Sequence, residues 1–129
     1  MLTQLLQPQE IEVYYVIPTI RRYLAQFLKG QGMSQKAIAE LFRIRESTVS
    51  QYITAKRASL ISFPQQIVEE IKTSAGRIQT SLDMVRETQR TLKMVRETGT
   101  LCILHHQFSN TKLNCEPNDI GCLPFPRCP

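Results

Sequence analysis

Four cysteines and two histidines are the residues of this chain best equipped for chemistry, and all six follow Leu101. Cys102 and His105 stand three apart, a spacing that puts both on one side of a helix. Cys115, Cys122 and Cys128 follow at wide intervals, and His106 sits beside His105. Thiolates joined by an imidazole suit tetrahedral zinc or an iron–sulfur cluster. The two close C-x2-C pairs of a zinc ribbon are missing, and glycine and proline lie near the cysteines. Both features favour an iron–sulfur cluster, with zinc as the alternative. A third reading is free thiols, a regulatory disulfide or buried cysteine acting as a small hydrophobe. Cysteine and histidine can also form a nucleophile and base. Here no acid is placed to orient the histidine, and neither a glycine-rich phosphate loop nor a nucleophile elbow is present. An enzyme is not expected.

These ligands need ordered elements to hold them. Leu101 to Phe108 reads as a short helix after a break at Gly99. The stretch from Ser109 to Pro129 is rich in Asn, Pro and Cys and has no period. It carries too little apolar surface to offset the entropy of ordering. A metal or cluster would supply that order.

A second set of chemically able residues lies in SQKAIAELFRIRESTVSQYITAKR, Ser34 to Arg57. Between Thr19 and Leu60 there are eight basic residues against Glu40 and Glu46, a net +6 in a chain of net +5. Such concentration is the footprint of a binder of phosphate backbone. The major groove admits one helix and shows a distinct donor and acceptor pattern for each base pair. A reading helix therefore needs one polar face and one firmly packed face. Arg45 to Thr54 divides that way. Val49 and Tyr52 point inward, while Arg45, Glu46, Ser47, Ser50, Gln51 and Thr54 point outward. Gln51 suits adenine, and Arg45 suits guanine or phosphate. Ser34, Gln35, Lys36, Thr48, Lys56 and Arg57 are candidates for contacts to the backbone.

The supporting elements follow in order. Pro8 can open a short helix. Ile11 to Ile17 is densely apolar and compatible with helix or strand, and Pro18 is expected to end it. Thr19 to Lys29 forms a helix with Ile20, Leu24, Phe27 and Leu28 on one face and Tyr23 beside them. Arg21 and Arg22 lie on another side, in reach of a phosphate. Gly30 and Gly32 break the chain before Ser34, which caps the next helix. Ile38, Leu41 and Phe42 form that helix's buried face, Ala39 admits a close neighbour, and Ile44 plugs the turn.

Ser59 to Phe63 is a linker and Pro64 starts a new helix. A seam of Ile67, Ile71, Ala75, Ile78, Leu82, Val85 and Leu92 predicts two helices, about 64–78 and 81–98, capped at Thr80 or Ser81. One bent helix is the alternative. The MVRET at Met84–Thr88 repeats at Met94–Thr98, an offset near three helical turns that would put both copies on one face.

SQKAIAELFRIRESTVSQYI resembles the helix-turn-helix of lambda-repressor-like (Xre-type) regulators. Ala39 and Val49 match that family's spacing, and VSQY at Val49–Tyr52 is frequent there. Arg43 stands where glycine is usual in the turn. A non-glycine residue in left-handed geometry costs about 1 kcal/mol, so a different turn shape is an expectation here. With IPTIRRYLAQFL before it, AKR after it and LCILHHQFSNTKLNC near the end, the chain is similar to a prokaryotic group of predicted transcriptional regulators with a C-terminal cysteine cluster. Cys115-x6-Cys122-x5-Cys128 also resembles the loop of iron–sulfur-sensing winged-helix regulators.

The resulting expectation is an all-α chain. A helix-turn-helix DNA-binding head spans 9–60, helical dimerisation segments span 64–98, and a Cys-rich cluster- or metal-binding segment spans 99–129. It would act as a homodimeric regulator on a double-stranded DNA operator, sensing redox or iron–sulfur status. In the alternative, a structural zinc or disulfide staples the tail, which recruits a protein partner. An antitoxin-like or phage-type repressor is a further rival. No apolar run is long enough to cross a bilayer and the N-terminus lacks a secretory signal, so a cytoplasmic location without membrane contact is expected. No small-molecule substrate is evident.

Overall fold

The computed structural model describes residues 5–109. Cys115, Cys122 and Cys128 lie outside the described residues. Within them every regular element is helical: α1 (Pro8–Ile11), a π-helical turn (Glu12–Val16), α2 (Ile17–Gly30), α3 (Gln35–Phe42), α4 (Glu46–Ile53), α5 (Gln65–Arg77), α6 (Ser81–Glu97) and α7 (Thr100–Phe108).

The apolar stretch before Pro18 is helical, not a strand, and Pro18 does not end it. A proline inside a helix removes one N–H and presses its ring against the carbonyl four residues back. The preceding turn is wider here, with the Ile17 N–H donating to the Glu12 carbonyl five residues back. Such a π turn makes room for the ring. The Thr19 hydroxyl donates to the Tyr15 carbonyl at 2.7 Å, occupying an acceptor in the disturbed segment.

Helix α2 is the central element, packed against α3, α4, α5 and α6. Its Ile20, Leu24, Ala25 and Leu28 are all buried, as the sequence pattern predicted for the first, second and last. Ile38 and Ala39 of α3, Val49 and Tyr52 of α4, and Ile67 and Ile71 of α5 join the same core. Gln26 of α2 donates to the Tyr52 and Ile53 carbonyls at 3.3 and 3.4 Å, which fastens the end of α4. Arg22, expected near a phosphate, is turned to another task. Its Nε donates to the Ala58 carbonyl at 2.9 Å and its Nη2 to the Ile61 carbonyl at 3.2 Å.

Helices α5 and α6 break between Ile78 and Thr80, as two helices rather than one bent one. The break changes the helical phase. Ile67, Ile71, Ala75, Ile78 and Leu92 are buried, but Leu82 and Val85 are 56% and 53% exposed, and Met84, Thr88, Thr91 and Val95 line the inward face of α6 instead. The two MVRET copies do not share a face. Ten residues at about 100° each fall about 80° short of whole turns, so Val85 is exposed where Val95 is buried, and Glu87 is buried where Glu97 is exposed.

Thr80 is the cap of α6. Its hydroxyl accepts from the Asp83 N–H, and Asp83 accepts from the Gln79 and Thr80 N–H groups. Ser81 donates instead to the Leu41 carbonyl at 2.7 Å, joining α6 to α3. The backbone N–H of Gln79, then that of Thr80, hold the Asp83 carboxyl below its ordinary value of 3.8. A depressed carboxylate pKa contributes stability above the unfolded-state pKa and loses it as pH falls through the folded value. Asp83→Ala is therefore expected to lower the melting temperature at neutral pH, with the gap to wild type narrowing once pH falls below about 4. Paired thermal melts between pH 7 and pH 3 check this, and a gap unchanged by acid counts against it.

Candidate nucleic-acid interface

The motif is built from three helix ends of one design. After α2, Gly32 is left-handed at φ 99°, and the Met33 N–H reaches back to the Leu28 carbonyl at 3.1 Å. After α3, Arg43 takes the same role at φ 57°, and the Ile44 N–H donates to the Ala39 carbonyl at 3.1 Å. After α4, Ala55 is left-handed at φ 57°, and the Lys56 N–H donates to the Gln51 carbonyl at 2.8 Å. Each closes a Schellman motif, which satisfies carbonyls left over at a helix end. The turn at Arg43 thus keeps left-handed geometry despite the missing glycine, and Ile44 packs its side chain on the core behind it. Arg43→Gly and Ala55→Gly are each expected to raise the unfolding free energy by about 0.5–1 kcal/mol, relief of left-handed strain outweighing the extra freedom of the unfolded chain. Urea titrations measure this, and a loss of stability in both variants would contradict the strain argument.

Helix α3 starts at Ser34, whose Oγ accepts the Ala37 N–H at 3.1 Å. That bond leaves the hydroxyl proton free to donate. Lys36 is exposed and Gln35 half-buried on the same first turn. Arg45 occupies the cap position of α4 and is exposed, as are Glu46 and Ser47 in its first turn. Thr48 and Ser50 are half-buried at its flanks, and Gln51 and Thr54 are exposed. Val49 and Tyr52 anchor the opposite face, fully buried and 4% exposed respectively. The predicted division of α4 into a polar outer face and an apolar inner face is therefore present.

Two bonds arrange that outer face. Thr54 donates to the Ser50 carbonyl at 2.9 Å. Arg57 Nε donates to Gln51 Oε1 at 2.8 Å. The amide oxygen keeps one lone pair, and both amide hydrogens stay available, so Gln51 retains the donor and acceptor that adenine recognition needs. Lys56 and Arg57 are both exposed just beyond the helix.

Electrostatics set this region apart. Among the described residues, the ion pairs are Arg77–Glu87, Arg86–Asp83, Arg90–Glu87 and Arg96–Glu12. All use acids and bases outside 19–60. Lys36, Arg43, Arg45, Lys56 and Arg57 have no carboxylate partner there, so their charge faces solvent.

The metal-ligand candidates divide differently. Cys102 and His105 share the buried side of α7, at 1% and 2% exposure. His105 Nε2 lies 2.7 Å from the Leu6 carbonyl, and Ser109 Oγ accepts the Leu6 N–H at 2.8 Å. A carbonyl only accepts, so Nε2 is the donor in this contact. The Nδ1 of the same ring is buried without a hydrogen-bond partner among the described residues. A ring nitrogen without a hydrogen-bond partner among the described residues therefore lies on the helix that carries Cys102. No group of three potential metal ligands occurs among the described residues.

The sequence pattern gave no role to Gln26 and assigned Arg22 to a phosphate. Both brace the motif from α2 through backbone carbonyls, a role that leaves no trace in residue spacing. Compared with known proteins, the chain matches no family model, no curated protein and no solved structure.

Proposed function

We propose that the chain is a homodimeric, sequence-specific DNA-binding transcriptional regulator whose C-terminal cysteines hold an iron–sulfur cluster. One observation carries the DNA-binding reading. Lys36 on α3, Arg43 and Arg45 before α4, and Lys56 and Arg57 after it are all exposed, and none is paired with a carboxylate among the described residues. In this reading α4 enters the major groove, Gln51 and Arg45 meet base edges, and Ser34, Lys36, Lys56 and Arg57 meet phosphates. Leu82 and Val85, exposed one turn apart on α6, supply an apolar stripe for a second copy.

Selection of binding duplexes from a random pool, followed by fluorescence anisotropy, tests the reading. The expected result is an enriched sequence bound at least about 10³ times more tightly than random duplex. No binding to any duplex at low salt overturns it. Sedimentation of wild type and Leu82→Glu tests the dimer, with a monomeric wild type counting against it.

The cluster is supported by the chemistry of its candidate donors, Cys102 and the unpartnered Nδ1 of His105, with Cys115, Cys122 and Cys128 beyond the described residues. A bound cluster would supply redox sensitivity. A brown sample after anaerobic purification is the expected result, and a colourless sample containing zinc moves the assignment to a structural metal.

A further inference from the structure

We infer that a cleft beside the end of α4 is a receptor for a small aromatic phosphate. The cleft has a volume of about 460 Å³, within the range of small-molecule sites. One wall comes from the π turn and the start of α2, with Tyr14, Tyr15 and Arg21. The other comes from α4 and the loop after it, with Tyr52, Lys56 and Arg57.

Its walls are held in place independently of any ligand. Arg22 fastens the loop through the Ala58 and Ile61 carbonyls. Tyr23 stacks on Phe63 at 5.7 Å, and Tyr15 stacks on Phe108 at 4.2 Å. A preformed site loses less entropy when it binds.

The lining determines the ligand class. Among the described residues, three cations line the cleft and no carboxylate does. Neither Arg21 nor Lys56 has an ion-pair partner among the described residues. A phosphate would receive charge-assisted hydrogen bonds from these groups. Tyr14, 59% exposed beside them, offers an aromatic face on which a planar ring can stack. Anion and ring are thus recognised side by side, which an inorganic ion or a neutral aromatic satisfies only in part.

Occupation would also reach the DNA-reading face. Arg57 lines the cleft and holds Gln51 through its Nε. A phosphate that draws Arg57 inward competes for the group that orients Gln51. This consequence rests on the DNA-binding reading; the site itself does not.

Isothermal titration of the full chain without DNA tests the site, using adenosine 5′-monophosphate and 4-nitrophenyl phosphate as probes. Inorganic phosphate and adenosine serve as the anion-only and ring-only controls. The expected result is that at least one aromatic phosphate binds about tenfold more tightly than either control, since charge pairing and stacking act together. Tyr14→Ala and Lys56→Gln, both at exposed positions, should each weaken it about fivefold with thermal melts unchanged. Absence of binding by both probes at millimolar concentration overturns the inference. So does inorganic phosphate binding equally well, or binding unaffected by both substitutions. If a probe binds but no duplex does, the cleft stands and the DNA-binding reading falls.

Discussion

Arg96→Ala is expected to lower the unfolding free energy by about 2–3 kcal/mol, below the full cost of breaking a buried pair because the arginine is partly exposed. Glu12 lies in the π turn and is only 8% exposed. Arg96, in the last turn of α6, donates to it twice, from Nε at 2.7 Å and from Nη2 at 3.2 Å. This two-pronged geometry is the strong form of a charge-assisted pair. It joins the start of the helical array to α6 across 84 residues of sequence.

The cost of breaking the pair is asymmetric. Without Arg96, the Glu12 carboxylate stays buried with its charge unmatched. Without the Glu12 charge, Arg96 can turn its guanidinium to water, because its side chain is 40% exposed. Glu12→Gln should therefore cost only about 1 kcal/mol, close to the net worth of one hydrogen bond. The double variant Glu12→Leu with Arg96→Met should recover most of the loss, as apolar replacements of buried pairs often do. Urea midpoints at constant slope measure all three. Equal losses for Arg96→Ala and Glu12→Gln would show that the pair breaks without this asymmetry and that burial of Glu12 does not set the cost.

The parts of the fold that were legible in the sequence are those set by local rules. Ser34 caps α3 because its hydroxyl meets an unpaired N–H, and the serine position alone announces that. Val49 and Tyr52 pack inward because their helical spacing places them on one face. Gly99 is left-handed, at φ 78°, where a break was read. The misreadings have non-local causes. Pro18 remains within a continuing helical array because a wide turn precedes it, and nothing local to Pro18 shows that turn. Leu82 and Val85 fell off the buried seam because the break at 78–80 resets the phase, and a period counted through a break carries the old phase forward. Arg22 resembled a phosphate ligand by charge and neighbours. Its actual partners, the Ala58 and Ile61 carbonyls, lie more than thirty residues away in sequence. For the interface, the polar face was legible as a residue pattern. The lack of carboxylate partners around it among the described residues is a property of the assembled surface, visible only once those acids have positions.

If α4 reads DNA, Gln51→Ala should weaken the selected operator by about ten- to a hundredfold, the 1–3 kcal/mol of one good bidentate base contact. Random duplex should bind the variant as it binds wild type, because base contacts contribute little to non-specific affinity. Lys36→Ala should act oppositely. It should weaken operator and random duplex alike and reduce the slope of log affinity against log salt by about one. Arg57→Ala joins both effects, since its guanidinium is exposed for phosphate and also orients the Gln51 amide at 2.8 Å. It should lower the salt slope and, in addition, part of the specificity ratio. The double variant Gln51→Ala with Arg57→Ala then separates its roles: once Gln51 is gone, the Arg57 contribution to specificity should vanish while its contribution to the salt slope remains. Anisotropy across a salt series supplies every quantity needed. Should Arg57→Ala change specificity equally with and without Gln51, the arginine reads a base itself and the 2.8 Å bond is incidental to recognition.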